Sequence, residues 1–451
     1  MEDQPTPGAR PEPPAPRAAG VSQTRTGAPR LAPRSFAILF AVSIVVAIGN
    51  TGLMSILPAI GRSIDVPDAF MAAIFSLSAL LWAVMSPIWA RVSDRRGRRP
   101  LIMLGLAGFA VSMLCCGLVV LAGLNHLAPW PVIFVIFLLA RALFGLIGSS
   151  SNPATQAYVA ERTSRAERTQ QMAALAGAFG LGTVAGPFLA PLFKLPVVGL
   201  AGPLFAFSLL ALGMLFVVFR FLPEEPVARE TRRVAGAGLW KDPRLLPFLV
   251  YGFMVATCQT AQGYTLGFMI IDKLKLSPEA ALGFIAVAMA AGAMAGLMAQ
   301  WGLIRMFNMG PKLLLRWGVA LACLGNVITV FAPDYWTVVV GFAISSLGYG
   351  FARPGFTAGA SLTVHMHEQA QAAAAIAAVN GLNVIIAPLF VAMYEAVAVA
   401  PFILNALILA GMLVFALKNP ILREAGEKAG ADEADEESTL ALLERSDEGG
   451  V

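Results

Sequence analysis

Twelve long apolar segments dominate this sequence, and they restrict its fold more than any other feature. Each has about 20 mostly apolar residues, the length that an α-helix needs to cross a hydrocarbon core of about 30 Å. They lie near residues 36–57, 69–90, 100–122, 131–155, 171–193, 199–221, 245–271, 279–304, 313–333, 336–358, 370–394 and 398–417. Only 13% of the residues are charged, which excludes a water-soluble enzyme, a nucleic-acid-binding protein and a disordered protein. The sequence therefore predicts an all-α membrane protein with 12 transmembrane helices.

The longest hydrophilic connection, residues 222–244, follows the sixth apolar segment. As a predicted linker it separates an N-terminal six-helix bundle, residues 35–221, from a C-terminal six-helix bundle, residues 245–418. Residues 1–34 are rich in Pro, Ala and Arg, and residues 419–451 are acidic, so both are predicted to be disordered tails. Two six-helix halves are typical of secondary transporters, which bind substrate near the bilayer midplane between the halves.

The positions of the basic residues predict the orientation in the membrane. With the N-terminus in the cytoplasm, cytoplasmic segments hold 26 of the 32 Lys and Arg residues, outer loops hold 4, and 2 lie inside spans. This asymmetry follows the positive-inside rule. Both termini are therefore predicted to be cytoplasmic, in a multi-pass protein of the cell inner membrane.

The loop after the second apolar segment carries the most specific motif. It resembles the signature loop of the major facilitator superfamily, G-x-L-a-D-r-x-G-r-[kr], although Ala90 and Val92 replace the usual Gly and Leu. The matching positions are Asp94, Arg95, Gly97, Arg98 and Arg99. Asp94 should stay ionised beside the arginines, and Gly97 permits a turn with positive φ. The resemblance implies that these residues gate the cytoplasmic side by contact with helix eleven, whereas the simpler interpretation is a topology loop.

An arginine inside the fourth segment suggests a second motif. Arg141 and Gly145 resemble the superfamily pattern R-x-x-x-G-x-x-G, which lines the cavity and is linked to proton coupling. An arginine at the bilayer centre costs at least about 2.5–3.5 kcal/mol, so we expect Arg141 to face protein or a wet cavity. The alternative is a structural arginine that reaches the outer interface.

The fifth segment contains two glycines four residues apart, followed by proline. Gly182 and Gly186 form a small-x-x-x-small face that lets another helix approach closely, and Pro187 bends its helix. This arrangement resembles the antiporter motif of exporters in the superfamily, although Ala190 stands where Gly is usual. The resemblance therefore implies an exporter of the twelve-helix drug:proton antiporter type.

The same resemblance implies two pseudo-symmetric bundles whose first, fourth, seventh and tenth helices line the cavity. Polar residues within these spans and within the eleventh are candidates for substrate contact or, alternatively, for hydrogen bonds between helices. These candidates are Asn50, Arg141, Gln259, Gln262, Arg353, Asn380 and Asn383.

No Asp, Glu or His lies in the middle of any predicted span. An antiporter normally needs a buried carboxylate to load protons near neutral pH, and the tetracycline exporters of this superfamily carry one in helix one or three. Its absence here weakens a tetracycline interpretation, and two intramembrane arginines favour neutral, zwitterionic or anionic cargo.

We therefore predict proton-coupled export of a small amphipathic or anionic compound by alternating access. The alternatives are uptake or facilitated diffusion of an organic anion and, from another class, a non-transporting membrane sensor. We expect the protein to bind its substrate, protons and lipid, but no nucleic acid, metal or cofactor. We also expect it to be a monomer without enzymatic activity.

Overall fold

The computed structural model describes the membrane-embedded part of the chain. The described residues are 31–163, 165–224, 242–364 and 368–425. Most of the predicted tails and of the predicted linker lies outside them. In the described part of the chain, every secondary-structure element is a helix, apart from one isolated β-bridge between Leu195 and Gly199.

Sixteen helices are numbered α1–α16 along the described chain. The first half contains α1 (Pro33–Ser63), α2 (Asp68–Arg96), α3 (Arg98–Leu124), α4 (Trp130–Leu146), α5 (Ser151–Glu161), α6 (Arg165–Leu189) and α7 (Gly202–Phe221). The second half contains α8 (Leu246–Leu274), α9 (Leu282–Leu297), α10 (Ile304–Met306), α11 (Pro311–Val330), α12 (Tyr335–Leu362), α13 (Gln369–Leu382), α14 (Ala387–Ala396), α15 (Ala400–Lys418) and α16 (Pro420–Arg423). Each predicted apolar segment overlaps at least one of these helices.

Eleven helical segments of the described chain are long and apolar enough to cross a membrane. Helices are favoured there because lipid offers no hydrogen-bond partner to the backbone, and a helix pairs its own N–H and C=O groups. Helix α8 occupies the place of the predicted seventh span. Polar residues such as Gln259 and Gln262 lower its hydropathy, and it is not among the eleven. The eleven spans support a multi-pass membrane protein, and twelve crossings stay a prediction.

Some spans contain a local change of helix type. A 3₁₀ turn, Gly148–Ser150, joins α4 to α5, and another, Asn383–Ile386, joins α13 to α14. A π-helical turn, Met298–Leu303, joins α9 to α10. Each pair of joined helices therefore forms one span.

The bundle has two ends. We call the end that contains Gly97, Arg162 and Asp242 the arginine-rich end, and the end that contains Asp65, Lys275 and Asp334 the opposite end.

The buried apolar residues show where the two halves touch. One core cluster contains residues of α1–α7 together with the C-terminal part of α8, including Leu266 and Ile270, and residues of α9, α12, α14 and α15. A second cluster contains the N-terminal part of α8, including Phe248 and Val255, with α11, α12, α13 and α15. Helix α8 thus belongs to the core of its own half at the arginine-rich end and shares the core of the first half at the opposite end. The halves are packed together at the opposite end.

Candidate functional site

Gly97 makes a sharp turn between two helices at the arginine-rich end. Helix α2 ends at Arg96 and α3 begins at Arg98, and Gly97 between them has a φ of 95°. This is the positive φ that the motif predicts, and glycine adopts it without a Cβ penalty. The turn places the side chain of Arg98 back against the last turn of α2.

Arg98 is the buried centre of an ion cluster. Its guanidinium lies 2.6 Å from Asp94 and donates to Ser93 Oγ at 2.9 Å. Its Nε also donates to Glu161 Oε1 at 2.9 Å, which joins the α2–α3 turn to the end of α5. The ion pair described for Asp94 therefore stays within the first half, whereas the motif implied contact with helix eleven, which begins as α13 at Gln369.

Two further residues of the motif lie at the rim of this cluster. Arg99 pairs with Glu224 at 3.3 Å and also donates to the backbone oxygen of Phe219 in α7. Arg95 is exposed. The motif loop is thus attached to both α5 and the chain that follows α7.

Arg141 is only 1% exposed and lies in α4, as expected for an arginine that avoids lipid. It donates to Asn50 Oδ1 of α1. Its guanidinium carbon lies 4.7 Å from the centre of the Phe75 ring and 4.4 Å from that of Phe144, within the range of cation–π attraction. No carboxylate pairs with Arg141 in the described part of the chain, and its Nε and Nη1 atoms have no hydrogen-bond acceptor there.

Gly145 packs α4 against α2. A Cβ at this position would lie 2.9 Å from Leu81 Cβ and closer still to the backbone oxygen of Ser78, which is nearer than side chains approach. Glycine therefore lets α4 lie against α2, the helix that carries Phe75. Gly145 thus brings α2 close to α4, and the guanidinium of Arg141 lies between an aromatic ring of each helix.

Gly182 and Gly186 in α6 face α1. A Cβ on Gly182 would lie 2.7 Å from the backbone oxygen of Ile44, and a Cβ on Gly186 would lie 2.7 Å from the backbone nitrogen of Gly52. The spacing predicts such a close approach, and the structure identifies the partner helix. Pro187 follows directly inside α6.

The other predicted cavity residues differ in their surroundings. Gln262 is 1% exposed and its amide has no partner among the described residues, whereas Gln259 is half-buried. Asn383 is buried and accepts a hydrogen bond from Thr260 of α8 at 3.1 Å. Arg353 is exposed although it lies inside α12, and Asn380 lies in α13 with its side chain outside the described part.

Ion pairs join the two halves at the opposite end. Arg62 of α1 pairs with Asp272 of α8, and Lys194 pairs with Glu279 at 2.5 Å. The Asp272 carboxylate also accepts a hydrogen bond from Tyr394 of α14 at 2.6 Å. At the arginine-rich end, the ion pairs given above for Arg98 join residues of one half.

The contact between the two halves, which we call the seam, continues deeper into the bundle with a ring contact and a hydrogen bond. The ring centres of Phe75 and Tyr264 are 5.9 Å apart in an edge-to-face arrangement that joins α2 to α8. Ser76 Oγ donates to the backbone oxygen of Val384 at 2.7 Å, which joins α2 to the α13–α14 span. Since Phe75 also covers Arg141, the seam closes directly beside the buried arginine.

Sequence reasoning missed the aromatic residues around Arg141. Phe144 could have been found, because it lies three residues after Arg141 and so on the same helix face. Phe75 has no local signal, since it comes from another helix. The ion cluster around Arg62 and Asp272 was missed too, because its members are 210 residues apart.

Comparisons with known proteins agree on one family. The family model of the Major Facilitator Superfamily matches residues 39–388. The chain is 27% identical to the class G tetracycline resistance protein of Vibrio anguillarum over 398 residues, which cover 84% of this chain and 94% of that protein. It is 30% identical to the multidrug resistance protein MdtG of Dickeya zeae over 54% of this chain and 57% of that protein. The solved structure of the human organic anion transporter MFSD10 shares the fold, with a TM-score of 0.61 and 18% identity over 85% of this chain and 100% of that one.

Proposed function

From the premise that this chain belongs to the major facilitator superfamily, as its motifs predicted, we propose that it couples proton entry to the export of a small amphipathic or anionic compound. It is a membrane transporter whose relatives include tetracycline and multidrug resistance proteins. The direction of transport, the proton coupling and the chemistry of the cargo are the proposed parts. Export is supported by Gly182, Gly186 and Pro187, which match the antiporter motif and pack α6 closely against α1.

The proposed topology places the arginine-rich end in the cytoplasm. Cytoplasmic segments then hold 26 of the 32 basic residues, in accord with the positive-inside rule. Residues 35–221 and 245–418 act as two bundles that move against each other, and 222–244 connects them. With the halves packed together at the opposite end, the structure corresponds to a carrier that is closed towards the outside.

The buried guanidinium of Arg141 is the observation on which the cargo proposal depends. Two of its nitrogens have no acceptor within the described chain, and each unsatisfied buried donor costs about 1–3 kcal/mol. A carboxylate or carbonyl of the cargo would satisfy these donors when the surrounding side chains move apart. The Phe75 and Phe144 rings that flank the guanidinium offer apolar contact to the rest of an amphipathic molecule.

The motif cluster at the arginine-rich end acts as the cytoplasmic gate in this proposal. Arg98 holds Asp94 at the end of α2, so Asp94 is available to contact the start of α13 when the cytoplasmic side closes. In the outward-closed structure this contact is not needed. The two ends would then close alternately.

The runner-up is uptake or facilitated diffusion of an organic anion. It is favoured by the lack of an Asp, Glu or His in the middle of any span. The missing carboxylate also argues against tetracycline as the cargo, although tetracycline resistance proteins are among the relatives of this chain. Tetracycline therefore belongs among the compounds to be tested.

Transport by the full-length protein in liposomes with an imposed pH gradient tests this proposal. The assay should compare organic anions, neutral amphipathic compounds and tetracycline, with Arg141→Lys as the test variant. Lysine keeps the charge and loses the planar fork of donors. Since a hydrogen bond to a charged group contributes about 1.5–3 kcal/mol, we expect anionic cargo to bind roughly tenfold or more weakly and neutral cargo to be less affected.

The exposed Arg305, at the cytoplasmic end of the α9–α10 span, provides the matched control, Arg305→Lys. It should transport like the native protein. Export that does not depend on the pH gradient would refute proton coupling. Native affinity of Arg141→Lys for every cargo would reduce Arg141 to a packing residue.

A further inference from the structure

One guanidinium binds two carboxylates at the opposite end of the bundle. Arg62 Nη2 donates to Asp68 Oδ2 at 2.9 Å and to Asp272 Oδ2 at 3.1 Å. The Arg62 Nε atom adds contacts of 3.3 and 3.4 Å to the Asp68 carboxylate. The Asp68 side chain is 10% exposed and that of Asp272 46%. Two carboxylates are thus held side by side on a single positive charge.

Among the residues that the structure describes, the groups around this pair supply no second cation. Tyr394 donates its hydroxyl to Asp272, and the neighbouring Glu395 accepts from the first turn of α2 at 3.2 Å. Lys273 follows Asp272 in α8 but donates to a backbone oxygen near the start of α12. Two carboxylates therefore share one arginine, and a third, that of Glu395, lies beside Asp68 at the first turn of α2.

The members of this cluster are divided between the two halves of the molecule. Arg62 and Asp68 belong to the first half and form a neutral pair by themselves. Asp272 and Glu395 belong to the second half and bring two negative charges when the halves meet. A like charge nearby disfavours the ionised form of a carboxylic acid. Asp272 is held in its ionised form by Arg62 and by the Tyr394 hydroxyl, whereas Asp68 has to share its arginine and gains two like charges. Closing the seam should therefore favour the uptake of a proton at Asp68.

We infer that Asp68, which shares Arg62 with Asp272, is the proton-binding group of an outer gate that takes up a proton from the external side as the seam closes. The inference rests on the proposed function for the assignment of this end to the outside, and it deepens that function by naming a proton site that the middles of the spans lack. External acid then favours the outward-closed state, which receives cargo from the cytoplasm. Protons outside the cell thereby promote the return step of an exporter.

A second ion pair at the same seam behaves differently. Lys194 and Glu279 also join the two halves, but they pair one cation with one carboxylate. Closing this contact brings no excess of negative charge. Glu279→Gln is therefore a matched control, since it removes a carboxylate from the same seam without changing the shared arginine.

Spin-label distance measurements on the full chain in lipid nanodiscs, without cargo, test the inference. The labels are placed at Ser63→Cys and Ser277→Cys, which lie on opposite sides of the seam, after the four native cysteines are replaced by alanine. If closing binds one proton, the ratio of closed to open molecules rises by up to about tenfold for each unit by which the pH falls. We expect the short distance to gain population as the pH is lowered stepwise from about 8.

The variant Asp68→Asn has nearly the shape of the protonated acid and no titratable group. It should hold the short distance at every pH, and Asp272→Asn, which removes the like charge beside Asp68, should also lose the pH response. Glu279→Gln should respond like the native protein. A native distance distribution that does not change with pH overturns the inference, as does a native response in Asp272→Asn and Asp68→Asn or an equal loss of response in Glu279→Gln.

The outcome is separate from the transport assay. A pH-insensitive seam in a protein that exports cargo on a pH gradient refutes the proton gate and leaves the proposed function in place. A pH-sensitive seam in a protein that exports no tested compound supports the proton gate and counts against the proposed function.

Discussion

The contact between α1 and α6 can be tested by adding a single methyl group. A Cβ on Gly186 would lie 2.5 Å from the backbone oxygen of Ile48 and 2.7 Å from the backbone nitrogen of Gly52. Both neighbours are main-chain atoms, so rotation of a side chain, such as that of nearby Thr51, cannot relieve these contacts. The Gly186→Ala variant must therefore move the two helices apart.

The magnitude follows from the distances. Favourable contacts between non-bonded carbon atoms lie at about 3.5–4.0 Å, so the helices must separate locally by roughly 1 Å, and a gap of about 0.5–1 Å already removes a quarter to a half of the dispersion attraction of each contact. Overpacking of this kind typically costs about 1–3 kcal/mol. We expect Gly186→Ala to lower the free energy of unfolding by that amount.

Gly180 in the same helix offers the matched control. A Cβ there would lie 3.2 Å from a terminal methyl group of Leu297, which can move because it belongs to a flexible side chain. The measurement is the free energy of unfolding in mixed micelles titrated with SDS, for native protein, Gly180→Ala and Gly186→Ala. The reasoning is refuted if the two variants are equally stable, because the close backbone contact would then be absent.

Other predictions concern the two charged clusters at the arginine-rich end. Asp94→Asn should insert normally and lose transport in the liposome assay, and a native rate of transport would contradict a gate role. Arg244 donates hydrogen bonds to Asp242 at 2.7–3.2 Å and holds the pKa of that carboxyl below its ordinary value. Because a lowered pKa stabilises the folded state above the unfolded value of about 3.9, Asp242→Asn should reduce stability equally at about pH 5 and pH 7, and the difference should shrink only as the pH falls below about 4. The effect should be small because the Arg244 side chain that pairs with Asp242 is 42% exposed, and SDS titrations over this pH range measure it.

Much of the helical architecture could be predicted from the sequence because the bilayer allows few alternatives. Lipid cannot satisfy backbone polar groups, so a long apolar segment has to be a helix, and hydropathy locates it. Helix α8 was predicted too, although Gln259 and Gln262 give it a lower hydropathy than the eleven spans. The positive φ of Gly97 could also be predicted, because a sharp turn between two helices needs a residue without a Cβ.

The site was predictable only where its chemistry is local. Burial of Arg141 followed from the cost of charge in lipid, and the spacing of Gly182 and Gly186 indicated a close helix contact. The identity of each partner depended on the tertiary structure. Only the folded chain shows that α1 receives the glycines and that Phe75 covers the arginine.

The sequence by itself determined that this chain forms membrane helices, which of its residues are too polar for lipid, and to which superfamily it belongs. Only the tertiary structure decided how charges from distant segments meet, as with Arg62 and Asp272, 210 residues apart. The physical reason is that helix formation and lipid exposure depend on neighbours within a few residues, whereas an ion pair between the halves depends on how all the intervening helices pack.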